Sequence, residues 1–441
     1  MKKSKLMFLF AIVLSLVFIT IGCSSDGGDT ANGGDSSNDG ENSNGGEGNA
    51  EKTVIDYWHT YGEQEEKVLF EEIKPAFEEE FPQYELKLTR QPLEGLKQQV
   101  IAAVSGGVAP DLMRMDIIWT PEFAALGALA DVGAMEGFEE VKANLFESPM
   151  ATNFYDGSYY GVPINTNTKI SVYNKSVLEA AGFTEPPKTM EELEEAASAA
   201  VNNGVKGAIN VMGVGKTWDY LPYFWSLGGK LTDDEITQFD GYLNSAESVK
   251  AIETLYTWYE EGLISETLLG GRPGTWEGIE TGEYLAIDDG PWYFSILAND
   301  ASKPNPLDYT VWSTIPEGEG GSHSVIGGEN LVIFNGAENQ EGAWEFAKWM
   351  TGEKAQEIMA RGTGLIPTNT IAAQDEQFLE LPYAQEFVNQ LETALPRPSL
   401  PGWSEIDRTI SLNIEKIFRG ELGVQEALDI AAQEADEILQ D

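Results

Sequence analysis

A regular alternation of strand-like and helix-like segments constrains the fold of this chain more than any other feature of its sequence. Residues 53–58 have strand character, and the next segment repeats an apolar residue every four positions, as one face of a helix does. Residues 84–88 alternate as a strand, a second apolar stripe follows, and residues 111–115 form a third strand-like run. This order predicts an α/β architecture in which helices cover both faces of a parallel sheet.

The two apolar stripes define the first predicted helices. The first stripe comprises Leu69, Ile73, Phe77 and Phe81, and the second comprises Leu93, Leu96, Val100, Ile101 and Val104. Pro75 interrupts the first stripe, so we expect a kink there. Thr189 and Glu192 have the spacing of a helix-capping box, and later helices are predicted over 249–261, 343–350 and 424–439. The α/β pattern therefore extends to the C-terminal region.

Charge and residue counts exclude several classes of function. The 441 residues contain 27 Lys and Arg against 73 Asp and Glu, which gives a formal net charge of −46. Nucleic acids and anionic lipid surfaces would be repelled, so we expect no nucleic-acid partner. One cysteine and two histidines exclude disulfides, cysteine-rich zinc sites and Cys-His catalysis. We therefore expect no metal and no cofactor, and His59 and His323 are predicted as polar loop residues.

The N-terminal segment has the pattern of a secretory signal. Three lysines precede an apolar run over residues 6–19, which ends in Thr20, Ile21, Gly22 and Cys23. The cysteine after a glycine resembles a bacterial lipoprotein signal, although Thr20 stands where that motif prefers leucine. The resemblance implies removal of residues 1–22, lipidation of Cys23, and anchoring at the extracytoplasmic face of the cell membrane.

A polar segment separates this signal from the first strand. Residues 24–50 are almost wholly Ser, Gly, Asn, Asp and Glu, so they cannot bury a core. We therefore assign residues 23–52 to a disordered tether that holds no site residue.

Short motifs in a fixed order then become recognisable as a family pattern. They lie at residues 105–111, 123–129, 160–163, 173–175, 181–183, 186–189, 228–229, 290–292, 315–316, 327–328, 343–346 and 364–368. Each motif alone is weak. Together, over nearly all of residues 53–441, they resemble the extracellular solute-binding proteins of family 1, which are carbohydrate-binding lipoproteins that feed ABC importers.

The resemblance implies a two-lobe α/β fold like that of periplasmic binding proteins, with discontinuous lobes, a hinge and an interlobe ligand cleft. The N-lobe is then assigned to residues 53–165 and 316–368, and the C-lobe to residues 168–312 and 371–441. Three crossings are expected near residues 165–168, 312–315 and 367–370. The implied partners are a carbohydrate, the permease subunits of an ABC importer and, through the lipid, a membrane. We expect a monomer without enzymatic activity.

Candidate ligand residues follow from the chemistry of sugars, which present an apolar ring face and a rim of hydroxyl groups. Aromatic side chains near strand ends and polar groups beside them are therefore the informative positions. In the first lobe and the crossing strand these are Trp58, Tyr61, Asp116, Trp119, Asn167, Gly328 and Glu329. In the second lobe they are Trp218, Tyr220, Trp292 and Trp403. Four other tryptophans are assigned to packing: Trp276, Trp312, Trp344 and Trp349.

Two other functions stay open at this point. A secreted glycoside hydrolase also combines aromatic platforms with paired carboxylates. The same fold also serves receptors for metals, anions or peptides, but the scarcity of histidine and the tryptophan-rich loops favour a neutral carbohydrate. The identity of the sugar, its length and its linkage stay open, with pentose oligomers and galacto-oligosaccharides both compatible.

Overall fold

The predicted strands and helices are present in the computed structural model, which describes residues 52–440. The predicted signal, the Cys23 lipidation site and nearly all of the predicted tether lie outside the described residues. Within the described residues the strands are β1 (Thr53–His59), β2 (Tyr84–Arg90), β3 (Leu112–Asp116), β4 (Phe154–Tyr155), β5 (Ser158–Tyr159), β6 (Val162–Asn167), β7 (Ile170–Asn174), β8 (Ile209–Asn210), β9 (Ala286–Asp289), β10 (Thr310–Ser313), β11 (Val325–Ile333) and β12 (Leu395–Pro396).

The first sheet has the strand order β12-β11-β3-β1-β2, and β6 also pairs with β11. Strand β1 is parallel to β2 and β3, which confirms the predicted parallel arrangement. Strand β11 is antiparallel to β3 and β6, so the complete sheet is mixed. The first lobe therefore joins N-terminal strands to a strand that lies far along the chain.

The second sheet has the order β10-β7-β9-β8. Strands β8 and β9 are parallel, whereas β7 is antiparallel to both of its neighbours. Because β6 belongs to the first sheet and β7 to the second, Thr168 and Lys169 form the first connection between the lobes. The chain returns between Ser313 and Val325.

The α-helices surround these sheets. They are α1 (Glu63–Val68), α2 (Lys74–Glu80), α3 (Leu96–Gly106), α4 (Thr120–Ala125), α5 (Phe138–Ala143), α6 (Glu147–Ala151), α7 (Lys175–Ala180), α8 (Met190–Asn202), α9 (Thr217–Ser226), α10 (Ala246–Glu260), α11 (Thr275–Thr281), α12 (Pro291–Asn299), α13 (Pro306–Tyr309), α14 (Gln340–Met350), α15 (Glu353–Thr363), α16 (Glu376–Leu379), α17 (Ala384–Leu391), α18 (Trp403–Phe418) and α19 (Val424–Gln440). No helix between residues 52 and 440 is long and apolar enough to cross a membrane.

The apolar stripes explain the first helices, with one correction. A π-helical turn, Leu69–Ile73, joins α1 to α2, in which Pro75 is the second residue, as expected for a helix that must accommodate a proline. Leu69, Ile73 and Phe77 are buried, as predicted. Helix α3 is shorter than the second stripe predicted, because it begins after Leu93, which is 73% exposed.

Helix α8 illustrates how local sequence determines an element boundary. The Thr189 hydroxyl accepts a hydrogen bond from the Glu192 backbone N–H at 3.1 Å, as predicted. The Glu192 carboxylate accepts from the Lys188 backbone N–H at 2.7 Å, one residue before the position expected for a capping box. The cap begins a helix that buries Leu193 and Ala197 against the second sheet.

Each lobe has its own hydrophobic core. The first contains Ile55, Phe77 and Ile333, and the second contains Leu221 and Ile252. A third cluster joins β7 and β9 with α12, α15 and α17. Residues near the predicted second crossing pack on the second lobe, since the Glu317 backbone N–H donates to the Lys188 carbonyl at 2.8 Å.

Candidate functional site

A buried arginine in β3 organises the polar face of the first lobe. The Arg114 guanidinium lies 2.7 Å from Glu329 Oε2 and 2.5 Å from Thr60 Oγ1. It also stacks 4.3 Å above the ring centroid of Tyr61, a predicted site residue that is itself buried. Tyr61 therefore supports the arginine and has little surface of its own to offer.

Glu329, a predicted acceptor on β11, is held by two donors. The Asn165 amide donates to Glu329 Oε2 at 2.6 Å, beside the contact with Arg114. Burial raises the pKa of Glu329, while the Arg114 charge and the Asn165 hydrogen bond oppose that rise. The side chain is 23% exposed, so this oriented carboxyl group can accept hydrogen bonds from outside the protein.

Gly328 has a structural reason to be glycine. Its φ is 132°, and a Cβ there would overlap the backbone of Asn165 on the neighbouring strand β6. The glycine allows β6 and β11 to approach closely beside Glu329.

The loop after β3 contains the other predicted residues of the first lobe. The Asp116 carboxylate accepts a hydrogen bond from the Ile118 backbone N–H at 3.0 Å and so caps the 3₁₀ turn Ile117–Trp119. Trp58 and Trp119 are half-buried and pack against the same apolar cluster. Both indoles therefore retain some exposed surface.

Trp218 is the predicted residue that contacts the most charged groups. It lies inside α9, not before it as the sequence suggested, and its ring is 5.3 Å from Lys169 Nζ and 5.0 Å from the Arg397 guanidinium carbon. A Cβ on Gly327 would overlap both the Trp218 ring and the Asn167 amide oxygen. Trp218 thus lies against β11 and the end of β6.

The Lys169–Asp288 ion pair lies beneath Trp218. Lys169 Nζ is 2.7 Å from Asp288 Oδ2, and both side chains are 0% exposed. Lys169 Nζ also donates to the Asp219 carbonyl at 3.4 Å. Burial raises the pKa of Asp219 to about 6, an effect that the charge of Lys169 opposes.

Two tryptophans line a cavity of about 650 Å³ in the second lobe. Trp292 is the second residue of α12. Trp276 in α11 donates its indole N–H to Asp289 Oδ2 at 2.5 Å. Burial raises the pKa of Asp289 to about 6, against this hydrogen bond. The cavity also contains Arg272, which pairs with Glu277 at 3.2 Å.

Two predicted site residues of the second lobe lie in its core. Tyr220 is 3% exposed and Trp403 is 1% exposed. Trp403 is the first residue of α18, two positions earlier than the sequence suggested, and it packs in the core cluster with Ile406. Neither ring offers a free face in this conformation.

His59 also differs from its prediction, because it lies in β1 and is fully buried. His323 lies between β10 and β11, as a loop residue should, and its ring nitrogens contact the carbonyls of Thr393 and Gly320. Within residues 52–440, no group of three or more His, Cys, Asp or Glu side chains is arranged to hold a metal ion.

A contact between the lobes joins α3 to α18. Lys97 Nζ donates to Ser404 Oγ at 3.2 Å and pairs with Glu122 at 2.6 Å. The two lobes therefore touch at α3 and α18. Open α/β sheets bind ligands beyond the carboxyl ends of their strands, so the ends of β1, β3 and β9 mark the candidate ligand crevice.

The sequence over residues 72–385 matches the family model of bacterial extracellular solute-binding proteins. The chain belongs to this family. The match covers more than half of the chain and includes strands of both sheets.

Proteins with sequences similar to this chain are also named as binding proteins. A protein of Brucella abortus that is named only as a binding protein is 25% identical over 399 residues, covering 89% of this chain and 93% of its own length. The arabinooligosaccharide-binding protein of Halalkalibacterium halodurans is 26% identical over 350 residues, covering 74% of this chain and 75% of its own length.

Solved structures of solute-binding proteins share the fold. The GacH receptor of Streptomyces glaucescens has a TM-score of 0.77 and 22% identity, and the alignment covers 88% of this chain and 99% of that one. The two-lobe α/β fold expected from the sequence is thereby confirmed.

Sequence reasoning missed four residues of this crevice. Arg114 and Lys169 were overlooked because a basic residue in an apolar strand or crossing gives no sign of its partner. Trp276 was assigned to packing, although its position two residues after Gly274 resembles the position of Trp292 after Gly290. Arg397 lies between two prolines, and this pattern gave no functional signal.

Proposed function

We propose that this protein is an extracytoplasmic receptor that binds a neutral sugar or oligosaccharide between its lobes and delivers it to an ABC importer. The observation that carries the proposal is the cavity in which Trp276 and Trp292 stand beside Asp289. Indole rings suit the apolar face of a sugar, and a carboxyl group suits its hydroxyls. The names of relatives that bind oligosaccharides support the same ligand class.

The charges of the cavity favour a neutral ligand over an acidic one. Arg272 pairs with Glu277, and Lys303 pairs with Glu280, each at 3.2 Å. Because both cations already have carboxylate partners, Asp289 adds a negative charge that would repel an acidic sugar.

The eleven residues predicted from the sequence enter the proposal in different ways. Trp292, Trp218 and Glu329 are proposed to contact the ligand directly. Trp58, Asp116, Trp119, Asn167 and Gly328 remain proposed site residues whose contacts depend on lobe closure. Tyr61, Tyr220 and Trp403 are buried, so we propose that they support the site by packing and do not contact the ligand.

Calorimetric titration with neutral arabino-, galacto- and malto-oligosaccharides tests this function. Trp292→Ala should weaken binding by roughly 30-fold to 1000-fold, since an anchoring aromatic is worth about 2–4 kcal/mol. Trp349→Ala, which removes an indole outside this cavity, is the matched control and should leave affinity unchanged. Binding that is indifferent to Trp292, or no binding to any of these sugars, would contradict the proposal.

The receptor is proposed to release its ligand unchanged. Incubation with the sugar that binds best, followed by product analysis, distinguishes a receptor from a glycoside hydrolase. Shorter sugars that appear only with the protein present would favour the hydrolase.

We also propose that a lipid on Cys23 holds the mature protein, as a monomer, at the outer face of the cell membrane. The apolar run over residues 6–19 and the polar segment after Cys23 support this anchoring. Cys23→Ser should move the protein from the membrane fraction to the soluble fraction without changing sugar affinity. A wild-type protein that is wholly soluble outside the cell would refute the anchor.

A further inference from the structure

A second cavity, of about 680 Å³, lies between segments of both lobes. Its volume falls within the roughly 300–1,000 Å³ typical of ligand sites. None of the eleven binding residues predicted from the sequence lines it. Its walls include Thr152, Phe154 and Tyr159 from the first lobe, Trp225 and Leu231 from the second, and Arg397 after β12.

Arg397 is one of the polar groups of this cavity, whose walls also include Lys230, Asp233 and Asp234. Its Nε is buried and has no hydrogen-bond partner among the described residues. Its guanidinium lies over the Trp218 ring at 5.0 Å, so the same side chain borders both the second cavity and a proposed ligand residue. Buried donors without an acceptor are rare in proteins and costly, which makes Arg397 a candidate for contact with a ligand oxygen.

The charges around Arg397 indicate which ligand it would accept. The Asp116 carboxylate from the first lobe and the Asp407 carboxylate from α18 both act on it electrostatically. Burial nevertheless lowers the pKa of the guanidinium below its ordinary value. A second cation, Lys230, also lines the cavity, together with Asp233 and Asp234. The carboxylates therefore outnumber the cations and leave no excess positive charge for an acidic ligand, whereas neutral hydroxyl oxygens still find N–H donors.

We propose that this second cavity is a further subsite, in which Arg397 donates hydrogen bonds to the oxygens of a neutral sugar unit. The inference rests on the proposed function and narrows it. The two cavities share no lining residue, so one sugar ring cannot occupy both, and a ligand that fills both is an oligosaccharide.

Titration with sugars of increasing length tests the subsite. The probes are arabinose and galactose, their neutral oligosaccharides, and uronate-bearing oligosaccharides of matched length. Arg397→Gln should weaken the longer neutral ligands by roughly 10-fold to 100-fold, the range for a hydrogen bond to a charged group, and should weaken monosaccharides much less. Wild-type protein should prefer the neutral oligosaccharides to the uronate-bearing ones.

Two further variants keep the test decisive. Phe154→Ala changes the first-lobe wall at a side chain that is 44% exposed, so folding should not suffer and the same length-dependent loss is expected. Arg408→Gln, an exposed arginine of α18 paired with Glu405 at 3.8 Å, is the control and should bind like the wild type.

Each contrary result has a separate meaning. If the wild type binds long sugars and Arg397→Gln and Phe154→Ala bind them equally well, the subsite is overturned while the receptor function stands. An equal loss for all ligand lengths places Arg397 in the first cavity and also overturns the subsite. If the wild type binds no sugar, the proposed function fails and the subsite fails with it.

Discussion

At the scale of single residues, His59 is a titratable side chain enclosed between two tyrosine rings. Its ring centroid lies 5.9 Å from that of Tyr57 and 5.7 Å from that of Tyr61. Burial, and then the positive charges of Arg114 and Arg90, lower its pKa to about 4. The unfolded chain takes up this proton near the ordinary histidine pKa of roughly 6.5. The stability that neutral His59 contributes is therefore complete above that pH and is lost as the pH falls toward 4.

The substitution His59→Phe tests this pH dependence. It retains an aromatic ring, and neither His59 ring nitrogen has a hydrogen-bond partner within residues 52–440. Relative to the wild type, the variant should gain stability as the pH falls from about 7 to about 4.5, because only the wild-type unfolded state gains that proton. Urea unfolding of both proteins at the two pH values measures the difference. Parallel pH profiles would contradict the assigned pKa.

Trp403 shows what a residue's sequence neighbourhood cannot reveal. Its type and its position near a loop suggested an exposed platform, but the helix starts at Trp403 itself and turns the ring into the core. Whether an aromatic near a loop is buried depends on the partner elements, which local sequence does not specify. The same reasoning applies to Tyr220, which is buried inside α9.

Trp403→Ala should therefore act mainly on folding. We expect a loss of about 3–5 kcal/mol in unfolding free energy, with or without ligand, because the substitution opens a cavity in the second-lobe core. Thermal melting and calorimetric titration of this variant, side by side with Trp292→Ala, distinguish a residue that stabilises the core from one that binds the ligand. Normal stability with lost affinity would return Trp403 to the ligand site.

At the scale of elements, the Lys169–Asp288 pair fixes the first connection between the lobes. Lys169 lies between β6 and β7, and Asp288 lies in β9 of the second sheet. The Lys169 carbonyl also accepts a hydrogen bond from Ser324 Oγ at 2.8 Å, just before β11. Two of the connections between the lobes are thus tied to each other and to the second sheet.

Removing one partner of this pair should lower the unfolding free energy more than removing both. Lys169→Met leaves the Asp288 carboxylate buried and unpaired, which typically costs about 3–5 kcal/mol. The double variant Lys169→Met with Asp288→Leu removes both charges and should regain much of that loss. Urea unfolding of the two single variants and the double variant measures the coupling. Additive losses would show that the two side chains do not stabilise each other.

Some elements could be predicted from sequence because their patterns are local. Apolar patterns identified β1, β2 and β3 and helices such as α2, α3, α10, α14 and α19, since each pattern lies within a few turns of chain. The antiparallel pairing of β11 with β3 and β6 could not be predicted, because partner choice depends on strands far apart in sequence. The polar residues of the crevice are partly predictable for the same reason. Glu329 could be predicted from its local motif, whereas the pairing of Arg114 with it depends on two strands that are far apart in sequence.

At the scale of the whole molecule, the formal net charge of −46 makes self-repulsion a general property of the surface. The 27 basic side chains can pair with only part of the 73 acidic ones. Dissolved salt shortens the range of the remaining repulsion from about 30 Å at 0.01 M to about 3 Å at 1 M.

The melting temperature should accordingly rise with sodium chloride over this range. The folded state brings the carboxylates closer together than the unfolded chain does, so screening favours folding. Differential scanning calorimetry at several salt concentrations measures the trend, and the same series with a neutral osmolyte controls for effects unrelated to charge. A flat or falling trend with salt would contradict the expectation.

The position of β11 has a consequence for how the chain is made. A ribosome releases β1, β2, β3 and β6 first, then all four strands of the second sheet, and only afterwards β11. Until then, β3 and β6 lack the neighbour they share, and their unpaired backbone groups are open to incorrect partners. Pairing over such sequence distances is slow. The lobe that begins first in synthesis is therefore completed late, and its sheet stays incomplete until every strand of the second sheet has been made.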